Sequence, residues 1–552
     1  MRVDHDGLVP APGAPSGELA AAVEGGKRLS PAAIWRRLTP EHAFAVVLGL
    51  LVLVVHDLTY ILTQSFWNDE SWVAVTTRFP WSRLRETTAS TPIAWTALMR
   101  LITVREDQVG RLLPLAFAAA AVLVAYWFGR RLGWPHREAS VVAAVLAALG
   151  VLLVPAMLAR DDLKQYTADA FMALLIMAIL SRLERQWSRW GLVGLSVAVW
   201  GGMLFSDAAA FVGIAGFCVL CLAQLVKRSW VRLAEAAVAA VCTAALALVV
   251  YKAFDANAVR PRLTNSPQFV PYYLPLSKGL HAMITFVTVH FDHVHSYFGL
   301  GPAWLAVPLV VAGLVTMGWL GRPVTAVTVA VLWFEMLALS ALKKFPFLNQ
   351  RTSTFLFAVT IVVAAVGIVG ICSLLLRWLK SEPRIARVAA AAVAVLALAG
   401  LLVAARPYIR SHLIPPEDVR GQTLYVAAHA APDDVILVNL NSNWGFAYYW
   451  PHGSPSLRPA PALLQGREAY FPGQPRIVVA RDRDLAGVEA VLSEALGQAQ
   501  QRSCVRVWLI RTHVISSEQK AWVIALRQHG LSTTPVGRSG LTFVRAGRSC
   551  AG

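Results

Sequence analysis

Apolar residues along this chain fall into long unbroken runs rather than the short alternations of soluble helices and strands. Runs at about 42–63, 110–128, 138–157, 167–180, 231–254, 299–320, 323–342, 352–376 and 388–405 approach or exceed the ~20 residues that carry a helix across hydrocarbon. Residues 191–226 are also apolar, but Phe205-Ser206-Asp207 interrupts them, which predicts two short helices meeting at a polar turn. About eleven crossings are therefore expected. Arginines mark alternate ends of the runs: Arg36-Arg37, Arg130-Arg131 with Arg137, Arg182 with Arg185 and Arg189, and Arg377 with Arg384 and Arg387. Such clusters stay on the cytoplasmic side, so the amino terminus is expected inside and the carboxyl terminus outside.

Two segments depart from this pattern. Residues 64–108 mix apolar and charged positions, and the stretch Trp81–Arg100 suits short amphipathic helices lying along the interface of an external loop. From about 407 the runs shorten. Val435–Asn439, Arg476–Ala480, Val505–Ile510 and Leu541–Val544 read as strands, with polar helices at about 418–430, 484–500 and 516–529. The expected fold class is mostly α: a polytopic membrane domain over 34–406 followed by a small exported α/β domain over 407–552. Residues 1–33 are rich in Gly, Pro and Ala without an apolar core, and read as a disordered cytoplasmic tail.

Composition changes the picture only slightly. Hydrophobic residues make up 57% of the 552 positions and charged residues 15%, which excludes an ordinary soluble domain, where about a quarter of residues are charged. The formal net charge of +18 raises nucleic acid as a partner, but the basic residues sit between apolar runs and form no stripe interleaved with aromatics. Membrane lipids are the expected partner and nucleic acid is not. Of six cysteines, Cys218, Cys221, Cys242 and Cys372 lie in apolar runs, whereas Cys504 and Cys550 fall in the exported region and form a disulfide candidate.

Three polar motifs lie on the expected outer side, each at the end of a crossing: Asp69-Glu70, Arg160–Asp169 and Lys343–Arg351. Carboxylates and cations gathered at one water–lipid boundary suit a reaction between a lipid-borne phosphate and a polar acceptor. A carboxylate can take a proton from an acceptor hydroxyl, and Arg or Lys can neutralise the departing phosphate. A transporter would place its ionisable groups near the midplane instead. The segment His290-Phe-Asp292-His293-Val-His295 offers imidazoles, but 290 and 293 share one helical face while 292 and 295 share another, so a compact metal site is not expected. The aromatic run Trp444–Trp450 is expected to pack against the membrane domain ahead of stacking on sugars. Ser206-Asp207 reads as a helix turn.

The Asp-Glu pair after the first run, the Lys164-Gln165-Tyr166-x-x-Asp169 stretch and the Pro346-Phe347-x-x-x-Arg351 turn together resemble GT-C glycosyltransferases. The likeness is to bacterial relatives of the protein O-mannosyltransferase and aminoarabinose-transferase group, and it covers about 35–405. It implies inverting transfer of a sugar, with mannose preferred by analogy, from a polyprenyl-phosphate donor to a glycan, glycolipid or protein acceptor at the outer face of a bacterial plasma membrane. It implies Asp69 as general base, with Glu70 positioning the acceptor or a metal, and Asp161 or Asp162 as the second-loop acid. Lys164, Tyr166, Arg351 and Lys344 would meet the donor phosphate. A divalent metal ion is left open, because metal use varies within the superfamily. The competing classes are a lipid-linked-sugar flippase and a structural membrane protein with a partner-binding tail.

Overall fold

The structure is a computed structural model that describes residues 40–84, 91–102, 107–159, 162–255, 269–378, 383–411, 417–460, 467–501, 504–537 and 540–547. The tail expected over 1–33 lies outside them. Met1–Val47 forms a unit of its own, in which only the start of the helix Pro40–Leu50 is described, and Leu48–Gly552 forms a second unit.

Seven helices among the described residues are long and apolar enough to cross a bilayer. They are Val109–Arg131, Tyr166–Arg185, Ala208–Val226, Trp230–Phe254, Pro323–Ala341, Thr354–Trp378 and Arg387–Ala405. Arg137–Leu153, Arg189–Met203 and Ala303–Trp319 fill further runs with 17, 15 and 17 residues. The run at 42–63 is not one crossing helix. It breaks into Pro40–Leu50, Val52–Val55 and Leu58–Thr63, because the Asp57 carboxylate accepts the Tyr60 N–H at 3.0 Å and starts a new helix there. The third run breaks at Val154, just ahead of Pro155, which has no N–H to continue a ladder. Residues 279–298, which fall outside the expected crossings, form the helix Gly279–Phe298.

Thr354–Trp378 is the axis of the bundle, with 83% of its apolar window buried, while 11% of the window in Arg387–Ala405 is buried. Ala303–Trp319 packs against this axis backbone to backbone. A Cβ at Gly367 would lie 2.2 Å from the Leu309 carbonyl, and one at Gly313 would lie 2.0 Å from the Val363 carbonyl, so only glycine permits the approach.

The C-terminal region holds strands β1 (Val435–Val438), β2 (Ser456–Pro459), β3 (Arg467–Tyr470), β4 (Ile477–Val479), β5 (Val505–Ile510), β6 (Thr534–Pro535) and β7 (Thr542–Ala546). The main sheet runs β4-β1-β5-β7-β6, parallel across β4, β1 and β5 and antiparallel beyond. β2 and β3 form a separate hairpin. One face of β1 and β5, with Val435, Leu437, Val507 and Leu509, packs on the helices Leu485–Gln500 and Ser516–Gln528. The other face carries Ile436, Val438, Trp508 and Ile510 into a core shared with Phe66, Val73 and Val75 of the loop after the first run.

That shared core positions the site. The aromatic run folds as the helix Asn443–Tyr449 and lies against the helix Asn68–Thr76. Trp72 stacks on Trp444 at 6.3 Å, the Arg78 guanidinium covers the Tyr448 ring at 4.6 Å, and the Phe66 N–H donates to the Tyr449 hydroxyl at 3.0 Å. A Cβ at Gly445 would meet Val419 at 2.8 Å and the Ser71 hydroxyl at 3.1 Å, so the two helices touch closely there.

Candidate active site

The helix Asn68–Thr76 aims its two acids in different directions, because adjacent helical residues stand about 100° apart. Asp69 stays 29% exposed and forms an ion pair with Arg351 at 2.7 Å. Glu70 is 1% exposed and receives the Arg111 guanidinium through both oxygens, at 2.7 and 2.5 Å. Glu70 also accepts the Trp67 N–H at 3.2 Å and so closes the first turn of its helix. Arg111 donates further to the carbonyls of Ile61, Gln64 and Ser65. Glu70, expected to handle acceptor or metal, has both oxygens engaged in a buried fork that fixes the helix under Asp69.

Arg351 is the centre of the cluster. Its guanidinium pairs with Asp69, lies 3.7 Å from the Asp162 carboxylate, and rests over the rings of Trp67 at 4.9 Å and Tyr166 at 5.7 Å. The turn that presents it is held by Asn349, whose side-chain oxygen accepts the N–H groups of Arg351 and Thr352 at 3.1 and 3.3 Å. Leu348 takes a left-handed backbone to make that turn, with φ +56°.

Lys164 enters from the opposite loop. The Trp95 indole N–H donates to the Leu163 carbonyl at 2.9 Å and anchors that loop. The Lys164 ammonium lies 4.9 Å from the centre of the Trp72 ring, with the side chain 5% exposed. Asp207 stands near it, and the Gln165 amide joins the two segments by donating to Asp207 at 3.1 Å. Asp169 points elsewhere, accepting from the Ser206 hydroxyl at 2.7 Å and the Ala208 N–H at 3.3 Å, so the turn at 205–207 is capped from the neighbouring helix.

The C-terminal region adds one residue to this group. His513 follows β5 with φ +51°, lies tilted against Trp67 with ring centres 6.0 Å apart and pairs with Glu417 at 2.5 Å. The Glu417 hydrogen bond raises the His513 pKa against its burial, and Asp69 adds to the rise.

Electrostatics follow from this crowding. Burial works to raise the Asp69 carboxyl, but Arg351 and Lys164 outweigh it and hold the group below its ordinary value. Arg351 moves upward: burial opposes its charge, and Tyr166, Asp69 and Asp162 more than offset that. Lys164 moves down to about 8, because burial and nearby Arg351 exceed the pull of Asp69, Asp162 and Asp207. An added anion would therefore relieve Lys164.

The structure thus brings together Asp69, Asp162, Lys164, Tyr166 and Arg351. Asp161 lies outside the described residues. Lys344, expected beside the donor phosphate, is exposed on the turn after Pro323–Ala341 and takes no part in the ion pairs of Arg351 with Asp69 and Asp162. Cys504 is disulfide-bonded, and its expected partner Cys550 lies outside the described residues. Cys218, Cys221, Cys242 and Cys372 are free thiols. Among the described residues no three His, Cys, Asp or Glu side chains stand close enough to hold a metal, and a guanidinium lies between the carboxylates of Asp69 and Asp162. The His290 Nδ1–H donates to the Phe286 carbonyl at 2.8 Å and the ring packs against Tyr272, while the side chains of His293 and His295 lie outside the described residues.

Trp67, Arg111 and His513 were not marked by the sequence reading. Trp67 could have been found as an aromatic beside an acid pair. Arg111 carried a signal too, as a lone cation at the outer end of an apolar run.

No protein-family model matches the sequence, and no curated protein sequence matches it. Among solved structures, ArnT from Cupriavidus metallidurans in the apo state superposes with a TM-score of 0.52 at 12% identity, over 92% of this chain and 98% of that chain. The same protein bound to undecaprenyl phosphate gives 0.45 at 14% identity, over 91% and 98%. The archaeal oligosaccharyltransferase AglB from Archaeoglobus fulgidus, in complex with an inhibitory peptide and a dolichol-phosphate, gives 0.49 at 10% identity, over 84% and 68%. The likeness to apo ArnT establishes the fold: this chain shares the architecture of that structure, and seven helices among its described residues are long and apolar enough to cross a membrane.

Proposed function

We propose that the chain is a membrane glycosyltransferase that moves a sugar from a polyprenyl-phosphate donor to a hydroxyl of an acceptor glycan, lipid or protein. The observation that carries this reading is the convergence of Asp69, Asp162, Lys164 and Arg351 at one end of the helix bundle. The acceptor oxygen attacks the anomeric carbon from the face opposite the phosphate. Its proton passes to the Asp69 carboxylate, the bond from carbon to phosphate oxygen breaks, and the electron pair leaves on the lipid phosphate. The configuration inverts. Arg351 and Lys164 sit where the leaving phosphate gains charge.

Arg351 supplies the ordering. While it pairs with Asp69 at 2.7 Å it keeps that carboxylate ionised and weakly basic. A donor phosphate competes for the same guanidinium, so donor binding loosens Asp69 and raises its basicity before the acceptor reacts. Positive-inside bias supports a plasma-membrane protein with this site facing outward. A flippase would need its charges spread along a membrane path, whereas these are gathered at one end.

The test is a purified chain in lipid nanodiscs offered polyprenyl-phosphate sugars, mannose first and other hexoses and pentoses after it. Release of polyprenyl monophosphate should depend on one sugar and on an added acceptor. Vectorial movement of an intact donor with no bond cleavage would overturn the reading.

Lys164 gives this reading a pH signature. A donor phosphodiester holds one negative charge throughout the neutral range, so any change in its affinity there reports the protein. A lysine lowered to about 8 is charged below that value and loses its proton as pH rises through it. Donor affinity should be level below pH 7 and fall by about tenfold above pH 9, the cost of roughly one hydrogen-bonded charge. Lys164→Arg should remove the fall. An alkaline limb unchanged in that variant would detach Lys164 from the phosphate.

A further inference from the structure

The far end of the bundle carries a second concentration of charge that the transfer reaction does not use. Leu112–Arg131 starts beside the Arg111–Glu70 fork and ends at Arg130 and Arg131. Tyr166–Arg185 starts beside Arg351 and ends at Arg182 and Arg185. Each has 20 residues and so spans about 30 Å. Between these ends lies a cavity of about 480 Å³. Arg130, Arg131, Arg137, Arg182, Arg185 and Arg322 line it, and among the described residues no carboxylate does.

Arg322 is the telling member. It is 3% exposed, and among the described residues its Nε has no hydrogen-bond partner and its Nη1 reaches only the carbonyl of its neighbour Gly321 at 3.3 Å. The nearby acid, Glu184, is engaged elsewhere: it accepts the N–H groups of Val324 and Thr325 at 2.6 and 3.0 Å and the Thr325 hydroxyl at 2.8 Å. Gly133 keeps room at the guanidinium. Its φ is +99°, and a Cβ there would stand 3.3 Å from Arg322 Nη2. Orientation of a membrane protein needs cations in short loops, but it does not need one buried in a cavity. A buried guanidinium with an orphaned donor lacks an anion.

We propose that this cavity binds the phosphate headgroup of an anionic membrane phospholipid. Arginine forks match phosphate oxygens two at a time, which suits six guanidiniums better than a monovalent ion would. The lipid source is favoured over free phosphate by position, since the cavity opens at the ends of membrane-crossing helices. Trp127 and Trp134 line it, the kind of ring that sits at headgroup depth. Arg131 lies over Trp127 at 5.2 Å, so the wall itself is already ordered for a charged occupant.

The full-length protein, delipidated in a neutral detergent, would be titrated with cardiolipin, phosphatidylglycerol and phosphatidylcholine, with bound lipid counted by native mass spectrometry. Saturable binding of the two anionic lipids and none of phosphatidylcholine is expected. Arg182 and Arg185 are exposed, so the double variant Arg182→Gln/Arg185→Gln keeps the fold and should weaken binding at least tenfold. Arg322→Gln should do the same, and donor binding at the Asp69 end should be unchanged in both. Equal lipid binding by the double variant and the parent would overturn the site. Displacement of the lipid by inorganic phosphate or pyrophosphate at equal concentration would overturn the lipid assignment and leave a free phosphate as the ligand.

Discussion

Asp69→Asn is expected to lower sugar transfer by about 10²–10⁴-fold while leaving donor affinity equal to or tighter than that of the parent. The size follows from removing the proton acceptor and keeping its shape. The direction of the affinity change follows from the ion pair. Asp69 and the donor phosphate compete for Arg351, which lies 2.7 Å from the carboxylate, so a neutral amide frees the guanidinium for the phosphate. Rates and donor Kd measured side by side separate the two effects. Transfer within tenfold of the parent would remove Asp69 from the base role. A weakened donor affinity would show instead that Asp69 holds Arg351 in place for the phosphate.

Glu70→Ala is expected to act through stability, costing about 3–5 kcal/mol, because it strands a buried guanidinium that is 2% exposed. Unfolding in mixed micelles with rising dodecyl sulfate would measure it. Replacing both partners, Glu70→Leu with Arg111→Met, should recover only part of the loss. Arg111 also serves the carbonyls of Ile61, Gln64 and Ser65, and those would be left without their donor. Glu70→Gln keeps most of the fork, so protein that remains folded should transfer sugar within tenfold of the parent. Full stability with a loss matching that of Asp69→Asn would return Glu70 to the chemistry.

These two neighbours show what a sequence discloses and what it hides. Charges at the ends of apolar runs stand out, because hydrocarbon tolerates them poorly, and that marked Asp69, Lys164 and Arg351 by their place along the chain, while Asp162 stood open against its neighbour Asp161. Which way an acid faces is not legible. A rotation of about 100° separates the half-open Asp69 from the sealed Glu70. The parallel strands at 435–438, 477–479 and 505–510 were legible because continuous apolar stretches and intervening polar helices set the pattern. The break at Asp57 was hidden inside a run whose average hydrophobicity masked one cap. His513 was hidden for another reason: it sits on a short link after β5, and only the fold brings it over Trp67.

The contact between Asn68–Thr76 and Asn443–Tyr449 also has a meaning in time. About 370 residues separate the two helices, which at about 5–20 residues per second is roughly 20–70 s of synthesis. Throughout that interval Phe66, Val73 and Val75 lack the cover of the aromatic run 444–450, and Trp67 has no imidazole beside it. A nascent chain that already possesses Asp69, Lys164 and Arg351 is therefore still unfinished as a site. The helix 443–449 and His513 are made only after all three of those charges, so a ribosome that stops between Arg351 and Asn443 leaves a membrane protein with its charges present and its roof missing.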